Sequence, residues 1–402
     1  MIKQATRLRM LALAAGAGAM TLMAAACGSN STGSGSASTA GGGSQNTSSM
    51  HMTSSTGPAL PLRAGERFEN LTVPQPYTPS APNGGTDEYR CLVIDPHLTK
   101  PTFLTGAQLE PGNPSIVHHA ITYAIPSQGA AEAHAKDAAT PGQGWTCFGG
   151  TGLSQDAWVD TWTPNHKETL LKQDVGFPLK PGSLIVLQIH YNLLATNGRA
   201  GASDQSSIRL RLTGGTAATK PLATVPLQAP IELPCASGES GPLCDRTAAV
   251  ADVAKRFGAR AGATEAQLVS QCSKGKPVPG NTQHCDYPVP KPMTVYAGLG
   301  HMHLLGRSIK VELNPGTAKA RTLLDVPSFN FDDQALTPEP TPVDVKPGDR
   351  LRVTCTHDAT LRQKLPQLSK LPPRYVVWGD GTSDEMCLGL LTVSGAGGKS
   401  LG

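Results

Sequence analysis

Leu184-Ile185-Val186-Leu187-Gln188-Ile189-His190-Tyr191 is the stretch from which the fold is read. It is apolar on both faces and reads as a buried strand that carries a histidine near its end. Similar short apolar runs surround it in the chain: Ser115 to Ile125, Leu184 to Leu194, Ser207 to Leu212, Thr294 to Leu313, Asp349 to Cys355, Tyr375 to Gly379 and Met386 to Val393. Each is bounded by Pro, Gly, Asn or Asp, and with 44 Gly and 34 Pro in 402 residues the chain suits short strands joined by turns. Two stretches read as helical, Gly129 to Ala139 and the longer Arg246 to Cys272. Many strands and few helices predict a mainly β protein of two jelly-roll-like β-sandwich domains in tandem. Residues 59–215 are expected to form the first and 231–397 the second. A Gly-, Thr- and Pro-rich linker at 216–230 is expected between them, with a helical, cysteine-containing insertion at 231–290.

The N-terminus reads as an export signal. Lys3, Arg7 and Arg9 precede an apolar run that ends in Ala24-Ala25-Ala26-Cys27. Small residues before a cleavage point mark a signal peptide over 1–26, and the cysteine that follows resembles the lipidated residue of bacterial lipoproteins. Residues 27–58 are Ser- and Gly-rich and read as a flexible tether, spanning about 30 Å as a coil. The expected location is therefore extracytoplasmic, with Cys27 anchored in a membrane. Nine cysteines less Cys27 leave eight, an even number that implies disulfides in an exported protein. A net charge of +4 with scattered Lys and Arg excludes a nucleic-acid groove, which needs a dense basic stripe.

Eleven histidines divide by context. His51, His97, His134, His166, His284 and His357 lie in polar or turn-like surroundings and read as solvated or capping residues. His118, His119, His190, His301 and His303 lie in apolar strand runs, where an imidazole without a partner is costly. In His301-Met302-His303, residues i and i+2 of a strand aim two imidazoles at one point while Met302 faces away. Met386 sits beside Cys387, and a thioether added to two imidazoles is a copper-selecting set. His118 and His119 are adjacent, so joint ligation requires a bulge or a strong twist, and His190 is placed to supply a third nitrogen. An all-imidazole site suits copper or zinc equally.

Five motifs appear in one order: Asp87-Glu88-Tyr89-Arg90-Cys91, His118-His119, VLQIHY at 186–191, HMHLLG at 301–306 and DEMC at 384–387. Together they resemble the copper type II, ascorbate-dependent monooxygenases, over roughly residues 85–395. The resemblance implies two copper ions per chain, held by two domains that face each other across an open cleft. It implies that His118, His119 and His190 bind the copper that passes electrons. His301, His303 and Met386 bind the copper where O2 and substrate meet, and are the implied catalytic residues. An ascorbate-like donor is the implied co-substrate. Tyr89 and Gln188 match positions near the cleft. Cys91–Cys147 and Cys355–Cys387 match disulfides of the family, and Cys235–Cys244 and Cys272–Cys285 are the pairs expected in the insertion.

Departures from the family bear on the substrate. Where peptide-hydroxylating members hold a substrate carboxylate with an arginine two residues before His-x-His, this chain has Leu299. Their asparagine and tyrosine after the methionine are Leu388 and Leu390 here. The expected pocket wall, Leu299, Leu388 and Leu390 with Tyr89 and Gln188, is largely apolar, so a small substrate without a required carboxylate is expected. The competing reading is an envelope copper-binding or storage protein without turnover. A zinc hydrolase fits less well, because no HExxH occurs.

Overall fold

The computed structural model describes residues 58–82, 86–147, 150–164, 166–193 and 201–395. The signal peptide, Cys27, residues 28–57 of the tether and His51 lie outside them. The protein is mainly β, as expected. Among the described residues the strands form three sheets. A five-stranded sheet runs in the order Trp145–Thr146, Asp87–Ile94, Leu184–Asn192, Val117–Ile125, Ala157–Trp162. A four-stranded sheet runs Thr282–Pro288, Arg350–His357, Gly306–Leu313, Arg321–Val326. The third and longest runs Glu66–Thr72, Ser207–Thr213, Thr102–Glu110, Val175–Leu179, Lys220–Gln228, Leu388–Ser394, Met293–His301, Thr337–Val345, with Thr169–Leu170 paired to Thr102–Glu110.

The long sheet belongs to both halves of the chain. The stretch expected as a linker is instead largely the strand Lys220–Gln228. Its Leu222, Val225 and Leu227 are buried, so this apparently Thr- and Pro-rich segment carries an inward face. It pairs in parallel with Val175–Leu179 at its start and antiparallel with Leu388–Ser394 along most of its length. Two hydrophobic clusters remain distinct, one built around Leu92, Leu187 and Leu210, the other around Val295, Val353 and Leu391.

Other elements differ in detail from the sequence reading. The run Thr294 to Leu313 is two strands separated by a turn, in which the Gly306 N–H bonds the His303 carbonyl. Tyr375 to Gly379 forms only isolated bridges, Leu233 with Val376 and Trp378 with Glu385, because other partners take its backbone groups. The Tyr375 N–H goes to the Leu243 carbonyl and the Trp378 N–H to the Glu265 carboxyl. The helices among the described residues are α1 (Ser127–Ala138), α2 (Arg246–Phe257), α3 (Ala259–Ser273) and the short α4 (Leu361–Lys364). The expected long helix is split into α2 and α3 at Gly258, whose φ of 94° suits glycine. All four expected disulfides are formed, Cys91–Cys147, Cys235–Cys244, Cys272–Cys285 and Cys355–Cys387.

Asp160, in the strand Ala157–Trp162, is buried. Loss of hydration raises its carboxyl from the ordinary 3.8 to about 7, against hydrogen bonds from Thr169 and the Thr161 N–H. Between those values the folded chain keeps a proton that the unfolded chain has released, so this group lowers stability as pH rises through that window. Asp160→Asn keeps the acceptor and removes the ionisation. Denaturant titrations should show the variant gaining on the wild type from pH 4 to pH 7, by on the order of 1–4 kcal/mol, with the gain level above pH 7. A difference that is flat with pH would contradict this.

Candidate metal centre

The His118-His119 pair sits in the strand Val117–Ile125, hydrogen-bonded to Leu184–Asn192. The register slips between Val117 and His119, a bulge that allows joint ligation. It turns both rings toward His190. The His119 Nδ1 lies 3.1 Å from His118 Nδ1 and 3.2 Å from His190 Nδ1, and one ligand atom from each residue lies within 4.8 Å of the others. All three residues are buried. Nitrogens bound to one transition ion at about 2.0–2.1 Å stand at about this mutual spacing, so the set fits copper or zinc as it stands.

Second partners decide which nitrogen each ring offers. His190 Nε2 is 2.8 Å from Asp87 Oδ1. Burial tends to raise the Asp87 carboxyl, but hydrogen bonds from His190, Thr382 and Thr86 bring it below its ordinary value, so it is an acceptor. His190 therefore donates Nε2–H to Asp87 and keeps the Nδ1 lone pair for a metal. Burial pushes the His190 pKa down to about 4 despite Asp87. His119 is driven well below the ordinary value by burial and then by the neighbouring imidazoles. Neutral rings are the metal-binding form.

His301 is the last residue of the strand Met293–His301, and His303 lies in the turn that follows. Their rings are 5.2 Å apart at 87°, and Met302 between them is fully buried in the core. His301 Nδ1 donates to Gln334 Oε1 at 2.7 Å, an amide oriented by its own Nε2–H to the Phe331 carbonyl. His303 Nδ1 donates to the Asp384 carbonyl at 3.3 Å. Both rings thus leave Nε2 free, the opposite nitrogen from the first set. Met386 is buried and is tied to the turn through its neighbour. The Glu385 carboxylate accepts the backbone N–H groups of His303 (2.9 Å), Leu305 (2.6 Å) and Met386 (3.1 Å).

The two sets meet. The His119 and His301 rings are 5.7 Å apart, and Phe331 stacks on His118 at 4.3 Å. The resemblance implies an open cleft; here the two faces are closed on each other. Hydrogen bonds across the contact hold them: Tyr89 Oη–H to the Asp380 carbonyl, Thr382 Oγ1–H to Asp87, and the Gln334 N–H to Thr163 Oγ1. Tyr89 also stacks on His190, with centroids 4.2 Å apart.

The other expected pocket residues are inside the protein. Leu299, Leu388 and Leu390 belong to the hydrophobic core of the second half, with Leu299 opposite Leu390 and His301 opposite Leu388. Gln188 is buried and donates to the Cys147 carbonyl. His97, His134 and His284 are exposed and His166 is half-buried against Thr169, in keeping with a bland role. His357 is a correction: it was expected to be solvated, but it is 1% exposed, with Nε2 3.5 Å from Glu385. It ends the strand Arg350–His357, whose alternate residues Leu351, Val353 and Cys355 all face inward, so strand period alone places it in the core. Sequence reasoning gave no role to Asp87, Asp384 or Glu385, although all three lie in the motifs that carry the resemblance, and it did not single out Gln334 or Phe331. Acids embedded in the apolar run ending DEMCLGLL were the available signal for Asp384 and Glu385. Gln334 and Phe331 lie in a loop with no periodic signal.

Fold and site together define a mainly β protein with one preformed three-imidazole cluster suited to a transition metal. Residues 274–392 match the family described as copper type II ascorbate-dependent monooxygenase, C-terminal domain. The match covers the C-terminal part of the chain, which is similar to the second domain of that family. No curated protein matches it. Among solved structures it is similar to one of allantoicase (12% identity, 79% of this chain and 90% of that one, TM-score 0.18). Another is the coconut allergen cocosin (10% identity, 82% and 85%, TM-score 0.14). Scores this low carry no argument.

Asp87→Asn tests the tautomer assignment. An amide can offer Nδ2–H to His190 and leave the ring tautomer unfixed, so affinity for copper at the three-histidine set should fall about 10- to 100-fold. Competition titration with a copper chelator measures it; unchanged affinity would show that Asp87 plays no part.

Proposed function

We propose that the chain is a copper-dependent monooxygenase of the cell envelope, anchored through Cys27, that hydroxylates a C–H bond of a small, largely apolar substrate with O2 and an ascorbate-like electron donor. The observation that carries this reading is the contact between two unlike donor sets, three Nδ1 atoms on one side and a His-x-His pair on the other, whose backbone is joined to that of Met386 through the Glu385 carboxylate. A protein that only stores copper needs no second kind of site. Bound copper supplies one-electron redox chemistry and O2 activation, and the protein sets ligands, spacing and access.

His118, His119 and His190 would hold one ion through Nδ1, an all-nitrogen set that serves both oxidation states. His301 and His303 would hold the other through Nε2, with the soft Met386 thioether favouring the reduced state. Asp87, Gln334 and the Asp384 carbonyl keep the ring N–H groups turned away from the ions. Phe331 and Tyr89 cover the three-histidine rings and keep water from them. Leu299, Leu388 and Leu390 are packed in the core beside the strand end that carries His301, so a substrate carboxylate brought against them would lose hydration without a cationic partner. The storage reading draws support from one feature: these leucines are packed in the core and the faces are closed. Under the enzyme reading the faces must part to admit substrate.

Metal analysis should find two coppers in the wild type and one in His190→Ala, with the remaining ion still bound at the His-x-His set. A single copper in the wild type, or loss of both in the variant, would contradict independent sites.

Met386→Ile separates enzyme from store. The exchange conserves apolarity and most of the volume, so the fold should persist at a cost under about 1.5 kcal/mol. The three-histidine site should still be reduced by ascorbate, while substrate-dependent O2 uptake drops at least tenfold. Uptake like that of the wild type would make Met386 a packing residue. A wild type that takes up no O2 with any donor and substrate tried would favour storage.

A further inference from the structure

The disulfide-stapled insertion, which the sequence presents as an appendage, grips the segment that delivers Met386. Tyr375 Oη–H bonds Glu232 at 2.7 Å, and the Trp378 N–H bonds Glu265 on α3 at 3.1 Å. The third grip is the tightest. Arg256 on α2 places both Nη atoms on the two oxygens of Asp384, at 2.7 and 2.6 Å, while its Nε bonds Asp252 at 2.8 Å. Arg374 adds a bond to Asp252 (2.9 Å) and a longer one to Asp384 (3.3 Å). Asp384 is 1% exposed, so the fork is the main compensation for a buried carboxylate. Gly381 leaves room for it: a Cβ there would stand 2.8 Å from Asp384 Oδ2 and 3.0 Å from an Arg256 nitrogen. The carbonyl of the same Asp384 receives His303 Nδ1–H, and the next residue is Glu385, which holds the His303, Leu305 and Met386 backbones.

We propose that the insertion is a working part of the second metal site, in which Arg256 is a positioning residue. Its fork fixes Asp384, and the Asp384 carbonyl fixes the His303 ring with Nε2 toward the metal. The chain of contacts runs from α2 to the ligand in two steps. Both ends of the helical pair are stapled, by Cys235–Cys244 just before α2 and by Cys272–Cys285 near the end of α3, so the grip is made from a rigid support. A helix that served only to cover the sheet would need apolar contacts alone; a bidentate fork on the residue two before Met386 is not required for cover.

The inference rests on the copper reading of the His-x-His set, and its test separates the two. Copper-free protein labelled with 15N-histidine reports the tautomer of each ring by NMR. In Arg256→Gln, His303 should lose its single Nδ1–H tautomer while His190, held by Asp87, keeps its own. Copper titration of the same variant should show affinity at the His-x-His site at least 10-fold weaker and the three-histidine site unchanged. Arg256→Lys keeps the charge without the fork and should show the same pattern to a smaller degree; it carries the test if the glutamine variant fails to fold. Wild-type tautomer and affinity at His303 in a folded variant would overturn the proposal, as would equal loss at both sites, which marks general loosening. Loss of the His303 tautomer in a protein whose wild type binds one copper would uphold the positioning role and refute the two-copper reading.

Discussion

Five imidazoles crowded into one low-dielectric contact cannot all be charged, and the rest of the structure follows from how each is kept neutral and aimed. Burial and mutual repulsion push His119, His190 and His301 below their ordinary pKa. A neutral ring carries one N–H and one lone pair, so the partner that takes the N–H decides where the lone pair points. Asp87 takes Nε2–H of His190, whereas Gln334 and the Asp384 carbonyl take Nδ1–H of His301 and His303. The two sets therefore present different nitrogens, and the acceptors behind them are as much a part of each site as the ligands.

Holding such a cluster demands a frame that does not shear. The long sheet provides it, because Lys220–Gln228 pairs with a strand from each half and so joins the two halves along one hydrogen-bonded surface. The candidate ligands lie on two sheets: His118, His119 and His190 on two adjacent strands of the five-stranded sheet, His301 at the end of a strand in the long sheet. Strand pairing fixes the histidines to the precision of a backbone ladder, while the loop containing Phe331 and Gln334 closes the contact from above.

Buried acids do the remaining work. Glu385 is completely enclosed, yet its carboxylate is satisfied by three backbone N–H groups from the two segments that carry His303 and Met386. Asp384 is enclosed and satisfied by two arginines. Breaking either arrangement would leave a buried charge without compensation, a far larger cost than that of losing an exposed ion pair. These acids make the turn after His301 and the segment before Cys387 behave as one unit.

Two of the cysteine pairs came from the family resemblance and not from any local pattern, whereas local patterns in the chain were enough for the mainly β class and for the ligand candidates. These depend on strand period and on residue type, which are written in short windows. The inward position of His357 was equally legible from the alternation of Leu351, Val353 and Cys355, although its polar neighbours argued otherwise. Tertiary structure alone decided that residues 220–228 are a shared strand, that the two ligand sets touch, and which nitrogen each ring offers. Those outcomes turn on partners such as Asp87 and Gln334, or Arg256 and Asp384, that lie from 33 to 128 residues apart from what they hold. No window of sequence contains both members of such a pair, and hydrogen-bond geometry at 3 Å is settled only when the whole chain has packed.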